Sequence, residues 1–222
     1  MNLKSLFNRW TQWVLWVAAA GGLTALATSL AQAQAAKEAT APKAEVFLLL
    51  PEPVVMRSAR SLKPPGAVQT VFSPAKEVPT SPFIATYSTA EFNAIGISPE
   101  TFAERARSVA DGLLRNLQPD WVRGDDGKVA YAVFRGERPI YASLLVAPSL
   151  PKLFEAAFGP EIWVVAPDRN ALYVFPAKAE GLSDFAGDLQ ARHTSDPYAA
   201  SSEIFSWKKG QREPQVVGSF AD

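Results

Sequence analysis

Ile162-Trp163-Val164-Val165-Ala166-Pro167-Asp168-Arg169-Asn170-Ala171-Leu172-Tyr173-Val174-Phe175 is the stretch on which the fold turns. Two apolar runs, 162–166 and 171–175, flank a tight connection. Both are rich in β-branched and aromatic residues and too short for independent helices, so each predicts a strand. Pro167, Asp168 and Asn170 suit the dihedrals of a β-turn. Upstream, Trp121-Val122-Arg123 and Lys128–Phe134 flank Gly124-Asp125-Asp126-Gly127, the pattern of a hairpin. Arg135-Gly136-Glu137-Arg138-Pro139 then turns the chain into Ile140–Val146, read as another strand. Pro151 opens a helix through Phe158, closed by Gly159 and Pro160. Downstream, Gly181 to about His193 reads as a helix with Leu182, Phe185, Ala186 and Leu189 on one side. Ile204–Trp207 and Gln215–Val217 form a last hairpin over Lys208-Lys209-Gly210.

Farther upstream the period changes to that of a helix. Ser98 is an N-cap with Pro99 in the first helical position. Phe102, Ala106, Val109, Ala110, Leu113 and Leu117 follow on a single stripe. Ser88-Thr89-Ala90-Glu91 offers a capping box for a short helix through Asn93. No internal repeat of fixed period occurs. The order of elements predicts an α+β domain over residues 87–222, a largely antiparallel sheet with about three helices. Residues 44–86 read as an extended, Pro-rich arm with edge strands. Glu45–Leu50 is a compact apolar run, but Pro51 and Pro53 cannot donate to a ladder. Prolines recur at 64, 65, 74, 79 and 82, leaving only Val68–Phe72 strand-like.

Residues 1–35 carry the three parts of a secretory signal. Lys4 and Arg9 give a short positive start, Trp13–Leu30 is uncharged, and Ala31-Gln32-Ala33 and Ala33-Gln34-Ala35 are overlapping A-x-A sites. Cleavage is expected after Ala33 or Ala35, followed by a polar linker over 36–43. A membrane is a partner only if this segment stays attached, its 18 uncharged residues being close to the minimum for spanning a bilayer. Cysteine is absent, which excludes both disulfides and a lipoprotein, and no Asn-x-Ser/Thr sequon is present. Together these point to a bacterial protein that is periplasmic or secreted.

The chain has 22 basic and 22 acidic residues. Without Lys4 and Arg9 the basic count falls to 20, a net charge of −2, which argues against nucleic acid as a partner. For chemistry, Asp168, Arg169 and His193 are the candidates. Arg169 could fork onto a carboxylate or phosphate with Asp168 orienting it. The plainer reading of the pair is an exposed turn. His193 is the single histidine. No Gly-x-Ser-x-Gly elbow surrounds any serine. Asp184, Asp188 and His193 share no recognised metal motif. No cofactor or metal is therefore expected, and His193 reads first as a residue at a helix C-terminus. Trp121, Trp163 and Trp207 read as core or rim residues.

Ile140-Tyr141-Ala142-Ser143-Leu144-Leu145, Ile162 to Asn170, and Ile204-Phe205-Ser206-Trp207 together resemble the YtpQ-like domains of bacteria, a family of unknown function. Those domains have an Ala-Ser-containing strand, a strand ending in Pro-x-Arg-Asp and a late Phe-x-Trp strand. Asn170 stands here where they have the acid, and the match spans about a third of the chain. The resemblance implies an α+β fold and no particular activity. With no nucleophile motif, metal cluster or phosphate loop, the sequence is read as an exported, non-catalytic binding domain for an envelope protein or a small ligand. The alternative is a hydrolase or ligand-binding enzyme using Asp168, Arg169 and His193. A third reading makes the Pro-rich residues 57–82 a docking segment for another protein.

Overall fold

Along the chain the residues form β1 (Leu48–Pro53), β2 (Thr70–Glu77), β3 (Ile84–Thr86), α1 (Thr89–Ile95), α2 (Pro99–Leu114), β4 (Asp120–Arg123), β5 (Val129–Arg135), α3 (Leu150–Phe158), β6 (Glu161–Val165), β7 (Ala171–Pro176), α4 (Gly181–Ser195), β8 (Glu203–Lys208) and β9 (Gln215–Ser219). Short 3-10 turns occupy Val54–Met56 and Tyr141–Val146. This computed structural model describes residues 45–78, 83–177 and 181–221. The expected signal, the linker, Ala33 and Ala35, and Pro79 and Pro82 lie outside the described residues.

The fold is α+β. Six strands make an antiparallel sheet in the order β4-β5-β7-β6-β8-β9, and three make a second in the order β1-β2-β3. Successive side chains of a strand leave on opposite faces, and the larger sheet uses both. Ala132, Phe134, Ile162, Val164, Leu172, Val174, Phe205 and Trp207 enter the main core. Tyr131, Trp163, Val165, Tyr173, Phe175 and Ile204 face the other way, into a smaller cluster. The main core is closed by Phe102, Ala103, Ala106, Ala110 and Leu114 of α2, Phe154 of α3, and Leu49 and Phe72 of the second sheet. The smaller cluster is closed by Leu182, Phe185 and Leu189 of α4, with Phe220 from the chain's end. Each large apolar side chain buried this way contributes roughly 1.5–3 kcal/mol.

Residues 45–78 therefore build a sheet of the domain where an arm was expected, within a unit that spans Ala44–Asp222. The prolines fit by direction. Phe72 exchanges both backbone bonds with Leu62, so its pairing with Pro51 is of the kind without ladder bonds. The nitrogens of Pro51 and Pro53 consequently face the sheet's outer edge, where no donor is needed. Pro74, two residues after Phe72, turns its nitrogen to the gap between Leu62 and β3, and its carbonyl there accepts from the Tyr87 N–H at 3.0 Å. β2 thus runs through Pro74 to Glu77, well past the expected Val68–Phe72.

The helix signals held in their positions. Ser88 and Glu91 form a reciprocal capping box on α1, and the Ser98 side chain accepts from the Thr101 N–H with Pro99 opening α2. Gly159, at φ 85°, ends α3. Four α-helices are present among the described residues against about three expected. Ile140–Val146 is corrected from strand to 3-10 turn. A continuous apolar run does not distinguish a buried strand from a buried helical turn. Here Ala142, Ser143, Leu144, Leu145 and Val146 are all buried, and β7 already carries β5 and β6 on its two edges. Ser143 donates from its hydroxyl to the Ile140 carbonyl at 2.6 Å, closing the turn. Among the described residues no helix is long and apolar enough to cross a membrane.

Candidate functional site

The β6–β7 connection carries two of the three candidate residues. Asp168 accepts the Asn170 N–H on Oδ1 at 2.7 Å, a local bond that shapes the turn. The segment after α4 then locks onto it. The N–H groups of Ala200 and Ser201 donate to the carbonyls of Pro167 and Ala166 at 3.0 and 2.9 Å. Asp168 ends fully buried. A buried carboxylate needs a counter-charge and full hydrogen bonding, and Arg192 of α4 supplies both through Nε to Oδ2. That contact in turn raises the Arg192 pKa, chiefly through the hydrogen bond to Asp168.

Arg169 makes a separate set of contacts. Its Nη2 donates to Glu52 Oε1 at 2.8 Å and its Nη1 to the Ile84 carbonyl at 3.2 Å. The guanidinium lies over the Tyr198 ring, 5.2 Å from its centroid. Glu52 is buried, so this is a second ion pair drawn out of water. Arg169 Nε is buried without a hydrogen-bond partner. Asn170 completes the junction by donating from Nδ2 to the Gly136 and Glu137 carbonyls, both at 3.1 Å. Four residues of turn thereby tie together both sheets, α4 and the loop after β5. The expected solvent-facing charges are instead satisfied inside the protein, because the turn sits where these layers meet.

His193 lies elsewhere. It borders a cavity of about 230 Å³ lined by Pro53, Val54, Val55, Gln69, Ala200, Ser201 and Ser202. Arg169 borders a different one, of about 190 Å³, with Phe83, Ile84, Glu137, Pro139, Asn170 and Tyr198. Partial burial pushes the His193 imidazole below its ordinary pKa, and Asp168 opposes that shift. The two serines beside His193 have other partners. Ser201 Oγ shares a hydrogen bond with Thr70 Oγ1 at 2.7 Å, and Ser202 Oγ donates to Gln69 Oε1 at 2.6 Å. Nucleophilic catalysis needs a hydroxyl bonded to its base, and among the described residues neither serine bonds to His193. No group of three His, Cys, Asp or Glu that could hold a metal occurs among them either.

So Asp168 and His193 approach closely enough to interact electrostatically, while Arg169 points into a separate environment. Sequence reasoning missed Glu52 and Arg192, the partners that define the junction. One signal was available: Glu52 is the single acid in an otherwise apolar stretch from Val46 to Met56, and a buried acid implies a partner. No family model, curated protein or solved structure matches the chain.

Proposed function

We propose that this chain is an exported, non-catalytic binding domain of the bacterial cell envelope, with a protein or small-ligand partner. The observation that supports it is the commitment of its polar groups. The buried Asp168 carboxylate is taken by Arg192 and the Asn170 N–H, and Arg169 is taken by Glu52 and the Ile84 carbonyl. An enzyme of the kind the sequence offered needs its acid, base and electrophile to converge on one substrate position. Export rests on the N-terminal charge, the uncharged segment and the A-x-A sites of residues 1–35.

The experiment is cross-linking in the native cell, followed by purification from the envelope fraction and intact-mass measurement. The expected result is a mass lacking residues 1–33 or 1–35 and one reproducibly cross-linked partner, with no turnover of ester, phosphate or peptide probes. Turnover that His193→Ala abolishes would establish the hydrolase reading in its place. A mass that retains residues 1–33 would make the protein membrane-anchored.

A further inference from the structure

The outer face of the six-stranded sheet holds a recess that shares Arg192 with the polar junction. It lies between α4 and strands β5 and β7, with a volume of about 140 Å³, and it is lined by Tyr131, Tyr173, Phe175, Phe185, Asp188 and Arg192 among others. A cavity of about 150 Å³ admits a molecule the size of benzene. We infer that this recess binds an organic ammonium group, of the size of a trimethylammonium head. The inference deepens the binding-domain reading and rests on it.

Three features select that chemistry. The first is the walls, which are aromatic on several sides. Tyr131 is their hub, with ring centroids 4.9 Å from Phe185, 5.3 Å from Phe175 and 6.0 Å from Tyr173. Aromatic faces carry negative quadrupole density and attract alkylammonium cations. The second is the charge balance. Arg192 is paired with the fully buried Asp168, so that pair is neutral as a unit. Asp188, one helical turn earlier on α4, is exposed and makes no ion pair or hydrogen bond with the described residues. Among the described residues its carboxylate has no counter-charge at the recess, and it is negative.

The third feature is the hydroxyls. Arg192 Nη1 donates to the Tyr173 hydroxyl at 3.4 Å, which orients that ring at the recess. Burial, followed by Tyr173, pushes the Tyr131 hydroxyl pKa up; Asp188 adds to this and Arg135 opposes it. The Tyr131 hydroxyl therefore stays neutral beside Asp188. An anion would meet Asp188 at the rim. An uncharged apolar guest would gain nothing from the carboxylate.

The test titrates the full chain with choline, at constant ionic strength, by backbone amide NMR and calorimetry. Two controls run alongside: 3,3-dimethyl-1-butanol, the uncharged isostere, and benzoate, an aromatic anion. Choline is expected to saturate with shifts at Tyr131, Phe185 and Asp188, binding about tenfold more tightly than the isostere. Asp188→Asn should weaken choline by severalfold while leaving the unfolding midpoint in place; Phe185→Leu, which also trims the packed cluster, should weaken choline by severalfold in a chain that stays folded by circular dichroism. Equal binding of the isostere, preference for benzoate, or no saturable shift would overturn the assignment. Vesicles of phosphatidylcholine against phosphatidylglycerol distinguish a lipid-borne head from a soluble amine, either of which fits the site. Choline converted into another compound would overturn the binding-domain reading and keep the site. A cross-linked protein partner with no choline binding would do the reverse.

Discussion

At the scale of single residues, two ion pairs, each with a buried carboxylate, hold the β6–β7 turn. Glu52 and Arg169 come from positions 117 residues apart, and the Glu52 side chain is only 4 % exposed. Removing one member of such a pair strands the other, at a cost of roughly 3–5 kcal/mol. Glu52→Gln should therefore lower the urea unfolding free energy by about 3 kcal/mol. The double change Glu52→Leu with Arg169→Met should recover most of the loss, because no unpaired charge remains. His193 adds a pH dependence of definite sign. Its folded pKa lies below its unfolded value of 6.5, so the folded state resists protonation. The stability this contributes is complete above pH 6.5 and is lost as pH falls through the folded pKa. Thermal midpoints should fall below pH 6.5 in the parent and fall less steeply in His193→Gln.

At the scale of elements, local signals and tertiary contacts divided the work. The capping box of α1 is written in Ser88 and Glu91, three residues apart. The structure adds Lys76 of β2, whose ammonium donates to Glu91 at 2.6 Å. The Lys76 hydrogen bond first, and the Ser88 bonds second, lower the Glu91 pKa to about 2. A carboxylate titration by NMR should place Glu91 near that value, and Lys76→Met should return it toward the ordinary range while the helix stays folded. The sign follows from the depression: this acid favours the folded state above its unfolded pKa, and the contribution fades as pH falls toward 2. Ile140–Val146 shows the opposite division. Its composition suited a strand, but both edges of β7 beside it are already paired, and burial favoured a compact turn.

At the scale of the whole molecule, the Pro-rich N-terminal part is structural. β2 is the middle strand of its sheet and places Phe72 in the main core, stacked 6.0 Å from Phe205. The approach to β2 is stitched to β8, since the N–H groups of Val68 and Gln69 donate to Glu203 Oε1 at 2.7 and 3.0 Å. Deleting residues 57–82 would remove the strand and leave the buried Glu203 carboxylate without these donors. The expected outcome is a chain with no cooperative thermal transition by circular dichroism. A deletion variant that unfolds cooperatively near the parent midpoint would show that these residues are separable from the domain, as a docking segment would be.

What the sequence alone determined was local: where helices start and stop, which runs alternate, and where the chain turns. Ser88, Ser98, Pro99 and Gly159 act through neighbours within a few residues, so their effects are legible from spacing. The α+β class follows from the order of such elements. Only the tertiary structure decided that residues 45–78 are part of the core, because proline direction relative to a partner strand has no signature in the chain itself. It also decided the fate of the opening stretch, Ile162 to Phe175. The two strands were plain from composition, but whether Asp168 and Arg169 face water or one another's distant partners depends on where Glu52 and Arg192 arrive. That is set by packing of layers far apart in sequence, and it turned an expected surface turn into the buried junction of the fold.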